Sequence, residues 1–290
     1  VDAVQTMLSA RVPAVPGGIT QVREVATQLL ELAKRNGPPV VLVGHVTKEG
    51  LVAGPKSLEH LVDVLIEFGG GSSHPHRTLR SVKNRFGPAF ELALFTMSDS
   101  GLTEVENPSA TLLADRHPGA PGSAVTVVME GTTPLLVEVQ ALVSRSALAN
   151  PRRVAQGVES GRLALLLAVL EKRAGLRLAD RDVFVNVVGG IVVDEPALDA
   201  GVAAVVASSM ADLPLPADLV VFGEVGLLGE IRAVTRAEER LREAATLGFE
   251  RCALPSSTKL AQPSPLDLVL LETVTDLTRL VLSASENGAE

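Results

Sequence analysis

Runs of apolar residues alternate with polar, turn-forming segments along the first third of the chain. Between residues 21 and 35 the apolar side chains recur at helical spacing, and Asn36-Gly37-Pro38 predicts the end of that helix. The continuous apolar run 40–43 predicts a strand that is covered on both faces. Three later segments predict a helix leading into a strand near Phe68, the returning strand of a hairpin, and a further strand: residues 58–66, 77–83 and 90–97. This order predicts an α/β sheet with an antiparallel edge.

A cluster of Pro and Gly at residues 117–122 precedes a second region with its own periodic pattern. Two apolar segments, 123–129 and 135–143, flank Gly131-Thr132-Thr133-Pro134 and predict a hairpin. Beyond the hairpin we expect helices at residues 158–174, 196–210 and 236–247, and strands at residues 183–188, 218–222 and 251–254. The pattern therefore predicts two domains, residues 1–117 and 118–290, of which the second is α+β and ends in a frayed tail from residue 283.

Composition narrows the classes of function. The net charge of −8 argues against a general nucleic-acid-binding surface. The window between Glu67 and Glu91 is an exception, because it contains no acidic residue. It carries four cations: Arg77, Arg80, Lys83 and Arg85. Because the chain has no Trp or Tyr and only seven Phe, phosphate contacts rather than base stacking would have to dominate any binding of nucleic acid there.

Two other classes of protein are not expected: membrane or secreted proteins, and proteins that are held together by disulfides or by an all-cysteine metal site. No apolar run is long enough to cross a membrane, and no charged-then-apolar leader indicates a signal peptide, so we expect a cytoplasmic protein without membrane contact. The single cysteine, Cys252, excludes an internal disulfide and an all-cysteine metal site.

Four residues of the first region are candidates for phosphate chemistry. Asp2 at a strand end could hold Mg²⁺ through water, or it could cap the next turn. Lys83 and Arg85 alternate along an extended segment and so point to one side, where they could bind phosphate oxygens or protect a solvated edge strand. His45 follows a buried strand and could sense a phosphate or be a hydrogen-bonded structural residue. The sequence alone leaves these alternatives open.

Three common catalytic motifs are not found where they would be expected: a P-loop in the first region, and a serine-hydrolase elbow and a zinc-peptidase string in the second. In the string closest to a P-loop, residues 50–57, the spacing between the two glycines is one residue short, and Pro55 lacks a backbone N–H that a phosphate cradle needs. The second region has neither a Gly-x-Ser-x-Gly elbow nor a His-Glu-x-x-His string. Its only lysines are Lys172 and Lys259, so a Ser–Lys dyad would have to use one of them.

Several separate strings resemble the RadA/Sms family of bacterial RecA-related DNA repair proteins. In the first region the matching strings are Asp2-Ala3-Val4-Gln5-Thr6, Gln21-Val22-Arg23-Glu24, residues 44–50, Ala53-Gly54-Pro55-Lys56, Lys83-Asn84-Arg85-Phe86-Gly87 and Asn107-Pro108-Ser109. In the second region residues 122–255 resemble the family's Lon-protease-like domain through Met129-Glu130-Gly131-Thr132, Pro151-Arg152-Arg153, Asp194-Glu195-Pro196-Ala197 and Gly223-Glu224-Val225-Gly226-Leu227. The family usually has Ser at the position of Ala3.

The resemblance implies an α/β RecA-like ATPase core, present here from its Walker-B strand onward, followed by an α+β Lon-protease-like domain. It implies an ATP-driven ring, expected to be a hexamer, that acts on single-stranded and branched DNA in recombination and promotes branch migration, with RecA as an expected partner. Asp2 would be the Walker-B acid that holds Mg²⁺ through water, and Gln5 would join it at the nucleotide. His45 would sense the γ-phosphate, and Lys83 and Arg85 would reach the nucleotide of the neighbouring subunit.

The same resemblance implies what this chain lacks. The four-cysteine zinc module and the Walker-A loop are expected to be missing, so ATP and Mg²⁺ would serve the full-length protein and would not bind this chain tightly. Ala197 and Glu238 stand where active Lon proteases have their Ser and Lys, so a scaffold is expected rather than a peptidase. The rival interpretation is a Lon-related oligomerisation scaffold or peptidase without ATPase function.

Six residues are predicted to contact DNA. Lys48 lies in a segment that resembles a DNA-facing loop, and Arg77 and Arg80 lie in the basic window. In the second region Arg152 and Arg153 follow a proline at a helix approach, and Arg251 lies in the turn after Gly248. The planar guanidinium suits phosphate. Intramolecular ion pairs are the alternative for the arginines of the second region.

Overall fold

The structure is a computed structural model that describes residues 1–35, 37–45, 58–70 and 76–283. The chain divides into two compact units. The first comprises Val1–Glu67 and Arg80–Glu91, and the second comprises Phe68–Leu79 and Leu92–Glu290. The domain limits predicted at residues 117 and 118 stay a prediction. The predictions for the rejected P-loop string, Lys48 and the frayed tail beyond Ser283 lie outside the described residues.

An amphipathic helix organises the apolar core of the first unit. A single 3-10 turn, Val4–Thr6, precedes helix α1, Ile19–Lys34. Val22, Val25 and Ala26 lie on one face of α1 because residues three and four apart are neighbours on a helix, and they pack with Val4 and Leu58. Gln21 is also buried, and its amide donates to the carbonyl oxygens of Ser9, Val12 and Ala14 at 2.9–3.0 Å. This side chain fixes the loop that enters the helix.

The prediction of a doubly covered strand at residues 40–43 is wrong. This segment forms only an isolated parallel bridge between Asp2 and Val43, and Val41 is 73% exposed. Among the described residues its hydrogen-bonding partner is the segment Val1–Val4, so its outer apolar side chains have nothing to pack against. An apolar run predicts burial only where neighbouring strands supply the cover.

Four strands follow: β1 Val64–Gly69, β2 His76–Asn84, β3 Leu92–Ser98 and β4 Gly101–Glu104. They form one sheet in the order β1-β2-β3-β4. The three predicted strands near Phe68, at 77–83 and at 90–97 are confirmed. Strand β4 and the short helix α2, Pro108–Leu113, were not predicted. Asn107 caps α2 by accepting a hydrogen bond from the N–H of Ala110 at 2.9 Å.

The second unit contains a seven-stranded mixed sheet in the order β13-β12-β9-β5-β6-β8-β7. Its strands are β5 Ser123–Glu130, β6 Thr133–Arg145, β7 Arg153–Gln156, β8 Arg181–Val187, β9 Leu219–Val221, β12 Arg251–Pro255 and β13 Asp267–Leu271. Strand β6 runs antiparallel to both β5 and β8, and the other neighbouring pairs are parallel. A separate hairpin pairs β10 Glu224–Val225 with β11 Ile231–Arg232.

The predicted hairpin at residues 123–143 is confirmed, with a tighter turn than expected. Glu130 pairs with Thr133, so only Gly131 and Thr132 form the turn, and Pro134 already lies in β6. Gly131 adopts φ 61°, a left-handed conformation that glycine takes at little steric cost.

Helices cover both faces of this sheet. They are α3 Ser160–Arg173, α4 Leu198–Ala211, α5 Ala237–Thr246 and α6 Val274–Ser283. Because side chains alternate along a strand, Ala124 and Val128 of β5 join the core that contains α3, α4 and α6, whereas Val125 and Val127 join the core that contains α5. Residues 198–208 of α4 are all buried. The mixed α/β character is confirmed, and the Lon-protease-like nature of this unit stays a prediction.

In the described part of the chain, none of the helices has the length and apolar character that crossing a membrane requires.

Candidate functional site

Two parallel segments of the first unit bring the predicted residues Gln5 and His45 together. The N–H of Val4 donates to the carbonyl oxygen of Val43, and the N–H of Val43 donates to that of Val1, each at 2.8 Å. Because parallel segments end at the same edge, the residues that follow them meet there. The side-chain amide of Gln5 donates to the carbonyl oxygen of His45 at 3.1 Å. Asp2 bridges Val43, two residues before His45, and both Asp2 and His45 are exposed.

Gln5 also presents a buried acceptor. Its Oε1 atom is buried and has no hydrogen-bonding partner among the described residues. A Cβ on the neighbouring Gly44 would come within 3.3 Å of Gln5 Nε2 and 3.5 Å of Val4 Cγ1. The absence of a side chain at Gly44 therefore avoids crowding of the Gln5 side-chain amide. A buried polar atom without a partner is costly unless water or a ligand satisfies it, so this edge suits a donor such as water on a divalent cation.

Lys83 and Arg85 reach the same segment of the first unit from the end of β2. The ammonium group of Lys83 donates to the carbonyl oxygen of Glu59 at 2.5 Å. The Nη1 group of Arg85 donates to Oδ1 of Asp63 at 3.0 Å. Both side chains thus point to one side, as their alternation predicts. Lys83 is half-buried, whereas 53% of the Arg85 side chain is exposed.

The other predicted cations of the basic window lie inside β2. Arg77 and Arg80 are both half-buried, and Nη1 of Arg77 donates to the carbonyl oxygen of His76 at 2.9 Å. An odd and an even position on one strand face opposite sides of it. The two arginines therefore do not form a single charged surface with each other.

Arg152 and Arg153 lead into strand β7 rather than into a helix, which corrects the predicted helix approach. Arg152 forms an ion pair with Asp182 through Nε at 3.1 Å and Nη2 at 2.7 Å, and its guanidinium lies 5.2 Å from the ring centre of Phe184. Hydrogen bonds from the backbone and side chain of Arg152 lower the pKa of Asp182 to about 2. Arg153 donates to the carbonyl oxygens of Leu178 and Arg181.

Arg251 is the first residue of β12, so the prediction that it lies in the turn after Gly248 is wrong. Its guanidinium binds Asp218 in a bidentate manner, with Nε–Oδ2 at 2.7 Å and Nη2–Oδ1 at 2.6 Å. The hydrogen bonds from Arg251 lower the pKa of Asp218. Of the three arginines for which the sequence left ion pairs open, Arg152 and Arg251 form them, and Arg153 donates to backbone carbonyl oxygens. Their contact with DNA stays a prediction.

The positions assigned by resemblance to a peptidase centre are occupied by groups without nucleophilic chemistry. Ala197 is fully buried at the N-cap of α4, where its carbonyl oxygen accepts a hydrogen bond from Gly223 at 3.0 Å. Glu238 lies in the first turn of α5, and its Oε1 accepts from the N–H of Ala261 at 2.6 Å. Lys172 and Lys259 are both exposed.

A buried ion pair lies beside this position, and sequence reasoning missed it. Arg240 is fully buried and pairs with Glu195, and it also donates to the carbonyl oxygens of Val127 at 2.6 Å and Thr235 at 3.0 Å. The carboxylate of Glu195 accepts a further bond from the N–H of Met129 at 2.5 Å. The spacing of the apolar residues in α5 could have indicated this ion pair, because it places Arg240 on the apolar face of the helix. The buried residues of that face are Ala237, Arg240, Leu241 and Ala244.

A second buried ion pair, also missed, lies at the start of α4. Asp199 is 2% exposed and pairs with Arg162 of α3 through both guanidinium nitrogens Nε and Nη2. Oδ2 of Asp199 also accepts the N–H of Val225 at 3.0 Å. Burial raises the pKa of Asp199, and its hydrogen bonds to Arg162 oppose that shift. The contacts of Asp199 thus join the start of α4 to α3 and to β10.

Across the residues that the structure places, no group of three or more His, Cys, Asp and Glu side chains is arranged to hold a metal ion. Asp2 therefore remains a single candidate carboxylate, which suits a magnesium ion held mainly by water and phosphate rather than by a protein cage.

No protein-family model matches the chain. Comparison with individual proteins places it among relatives of one bacterial DNA repair protein. It is 49% identical over 258 residues to DNA repair protein RadA of Bacillus subtilis and 53% identical over 257 residues to that of Escherichia coli, which cover 89% of this chain and 56% of each relative. The match to RadA of Streptococcus pneumoniae is 45% identical over 285 residues and covers 98% of this chain and 68% of the relative.

The chain belongs to the family of the DNA repair protein RadA. It spans little more than half the length of the Bacillus subtilis and Escherichia coli relatives. The resemblance drawn from the sequence strings is thereby confirmed.

Proposed function

We propose that this chain is part of an ATP-dependent DNA repair protein that acts on branched recombination intermediates and drives branch migration. In this proposal the first unit belongs to a RecA-like ATPase core, and the second is a Lon-protease-like scaffold. The observation that carries the proposal is the geometry of Lys83 and Arg85 at the end of β2. Their cationic groups are both held by residues of the segment 59–63, which precedes β1. Membership of the RadA family supports it.

Asp2, Gln5 and His45 would form the nucleotide edge of this unit. Magnesium with ATP would supply electrophilic activation of the γ-phosphate and charge neutralisation when bound. The residues present fit that group, since Asp2 is an exposed carboxylate and Gln5 Oε1 is a buried acceptor without a partner among the described residues. Asp2 would accept hydrogen bonds from water on the metal. Gln5 would order a further water molecule, and the exposed imidazole of His45 would contact the γ-phosphate.

Lys83 and Arg85 would act in trans, at the nucleotide of a neighbouring subunit in a ring, which we propose is a hexamer. A cation delivered across an interface stabilises charge on the transferring phosphoryl group, and such groups change rates by about 10³–10⁵. The exposure of Arg85 supports this role, because a group buried within its own subunit could not reach another.

DNA would bind through Lys48, Arg77, Arg80, Arg152, Arg153 and Arg251. Lys48 lies outside the described residues, and the arginines already contact groups of their own chain, so DNA phosphates would add to these contacts or exchange with them. RecA would be the partner that supplies the recombination intermediate.

The second candidate function is a Lon-related scaffold without ATPase activity, and a specific observation favours the scaffold part of it. The polar groups around Ala197 are committed to buried ion pairs, Arg240 with Glu195 and Arg162 with Asp199. Neither pair includes a nucleophile, so a peptidase is the weaker form of this candidate.

Mixed assemblies test the proposed trans role. Substitutions Lys83→Ala and Arg85→Ala in the full-length family protein should lower ATP turnover by about 10³ or more while each subunit keeps its own P-loop. Mixing either variant with a P-loop variant should restore partial turnover, because some interfaces then join an intact P-loop to intact cations. Mixtures that stay inactive at every ratio, or single variants with normal turnover, would contradict the proposal.

Gel-shift titration tests the arginines of the second unit. If Arg152 and Arg251 contact phosphates, Arg152→Ala and Arg251→Ala should weaken DNA binding and reduce the salt dependence of the affinity by about one phosphate contact each. Arg242→Ala is the matched control, since Arg242 is an exposed arginine paired with Glu238 and outside the predicted DNA contacts. If both variants bind DNA as tightly as the parent at low salt, Arg152 and Arg251 do not contact DNA and only form ion pairs.

A further inference from the structure

Asp63 contacts Arg85 in two ways at once. Its carbonyl oxygen accepts the backbone N–H of Arg85 at 3.1 Å, and its carboxylate oxygen Oδ1 accepts Nη1 of the same residue at 3.0 Å. Asp63 directly precedes β1, and Arg85 directly follows β2. A single residue thus fixes both the backbone and the guanidinium of the proposed trans-acting arginine.

We propose that Asp63 is a positioning residue that orients Arg85 toward the nucleotide of the neighbouring subunit. This inference rests on the proposed function of Arg85. The two contacts define the direction of the side chain from its backbone to its tip. Bound groups that are held in a productive orientation before reaction avoid the loss of conformational freedom at the moment of reaction.

The contact leaves most of the guanidinium available. Arginine has five N–H donors in a planar fork, and among the described residues Asp63 takes one donor, at Nη1. The remaining donors at Nε and Nη2 can pair with phosphate oxygens in a bidentate manner. The exposure of the two side chains, 53% for Arg85 and 35% for Asp63, leaves that approach open.

Lys83 provides the internal comparison. Its ammonium is held by a backbone carbonyl oxygen, that of Glu59, which no side-chain substitution removes. Arg85 has a longer, planar group, and its guanidinium is held by a side chain, through the carboxylate of Asp63. Among the side chains on this segment, Asp63 is therefore the one whose removal should disorient a cation.

The pair is too exposed to be needed for folding. Ion pairs at solvent-exposed sites contribute little to stability. Substitution of Asp63 also leaves its carbonyl oxygen, and with it the hydrogen bond from the Arg85 backbone. An effect of Asp63→Ala on turnover can therefore be separated from an effect on the fold.

The experiment measures steady-state ATP turnover of the full-length family protein with Asp63→Ala, Asp63→Asn and, as a matched control, Glu67→Ala. Glu67 is an exposed acid in β1 of the same unit. Because a misplaced catalytic group costs about 10²-fold, Asp63→Ala should lower kcat by about 10- to 100-fold with little change in KM. Asp63→Asn keeps the Oδ1 acceptor and should recover most of the activity. Glu67→Ala should match the parent.

Mixed assemblies then separate positioning from a structural role. Asp63→Ala subunits should complement a P-loop variant, because their defect lies in the donated arginine. They should not complement Arg85→Ala subunits, which have the same defect. The double variant Asp63→Ala/Arg85→Ala should be no slower than Arg85→Ala alone, since Asp63 acts through Arg85.

The turnover of the single variants distinguishes failure of this inference from failure of the proposed function. If Arg85→Ala lowers turnover and Asp63→Ala does not, or if Asp63→Ala raises turnover, Asp63 does not position Arg85 and the inference is wrong. If Arg85→Ala itself keeps normal turnover, the proposed trans role is wrong. An Asp63→Asn variant as slow as Asp63→Ala would also overturn the role of the Oδ1 contact.

Discussion

The candidate nucleotide residues of the first unit and the position around Ala197 in the second, assigned by resemblance to a peptidase centre, differ in how fully their polar atoms are satisfied by hydrogen bonds. Asp2, His45 and Arg85 are exposed, and Gln5 keeps a buried oxygen without a partner among the described residues. Around Ala197, by contrast, Arg240 is fully buried and donates to Glu195, Val127 and Thr235.

This difference separates groups that can act on a ligand from groups that hold a fold. A polar side chain whose hydrogen-bonding capacity is used internally has none left for a substrate, and breaking its contacts costs stability. An exposed cation with spare donors can bind phosphate at little cost to the fold. Substitutions in the buried ion pairs of the second unit should therefore act on stability, and those of the exposed groups of the first unit should act on activity.

The largest effect on stability is expected for Arg240→Ala. Removing one partner of a buried ion pair costs about 3–5 kcal/mol, because Glu195 would keep a largely buried charge without its cation. The free energy of unfolding of the second unit, measured by urea denaturation, should fall by that amount. Arg242→Ala is the control, because Arg242 lies two residues away in α5 and forms an exposed pair with Glu238. Equal losses for the two variants would contradict the structural role of Arg240.

A smaller and pH-dependent effect is expected at Asp182. Its pKa in the folded protein is about 2, below its ordinary value of 3.8, because of the hydrogen bonds from Arg152. A carboxyl with a lowered folded pKa stabilises the fold above its unfolded pKa, and this contribution is lost as the pH falls from about 4 toward 2. Asp182→Asn should lower stability at pH 7 and flatten its decline between pH 4 and 2.

The control for that measurement is Asp180→Asn. The side chain of Asp180 is 62% exposed and lies 3.7 Å from Arg181, so its substitution should leave the urea midpoint and its acid dependence close to those of the parent. If Asp182→Asn and the parent lose stability in parallel as the pH falls, the proposed contribution of the Arg152 contact is wrong.

No effect at all is expected in a peptidase assay. Acyl transfer needs a nucleophile with an activating base, and Ala197 and Glu238 provide neither. Incubation with unfolded casein should therefore give no time-dependent cleavage. Cleavage that disappears on substitution of a serine in residues 119–290 would make the rival peptidase interpretation correct and the scaffold proposal wrong.

The amino-acid pattern predicts elements well where one period dominates. The hairpin of β5 and β6 and the helices α3, α4 and α5 all lie where the spacing of apolar residues places them. The pattern does not reveal the short strand β7 or the last two elements, β13 and α6. The apolar residues of β13 and α6 lie in segments rich in Leu, Val and Thr, where strand and helix periods are hard to separate, and β7 is only four residues long.

For the candidate site, the sequence predicts the direction of the two cations but not their partners. The alternation of Lys83 and Arg85 indicates that they share a side, and the structure agrees. Their partners on residues 59–63 come from another segment, so no local pattern contains them. The prediction that the run 40–43 is buried was wrong, because apolar composition does not reveal which strands are present to cover it. The role of Arg240 could be inferred only from its place on the apolar face of α5.

DNA-stimulated ATP turnover of two matched variants of the full-length family protein tests the central claim most directly. Arg85→Ala and Arg242→Ala each remove one arginine that is ion-paired and more than half exposed, the first in the first unit and the second in the second unit. If the first unit provides the catalytic cations, Arg85→Ala should lower turnover by about 10³ or more, and Arg242→Ala should stay within about twofold of the parent. Equal turnover by the two variants would contradict the claim.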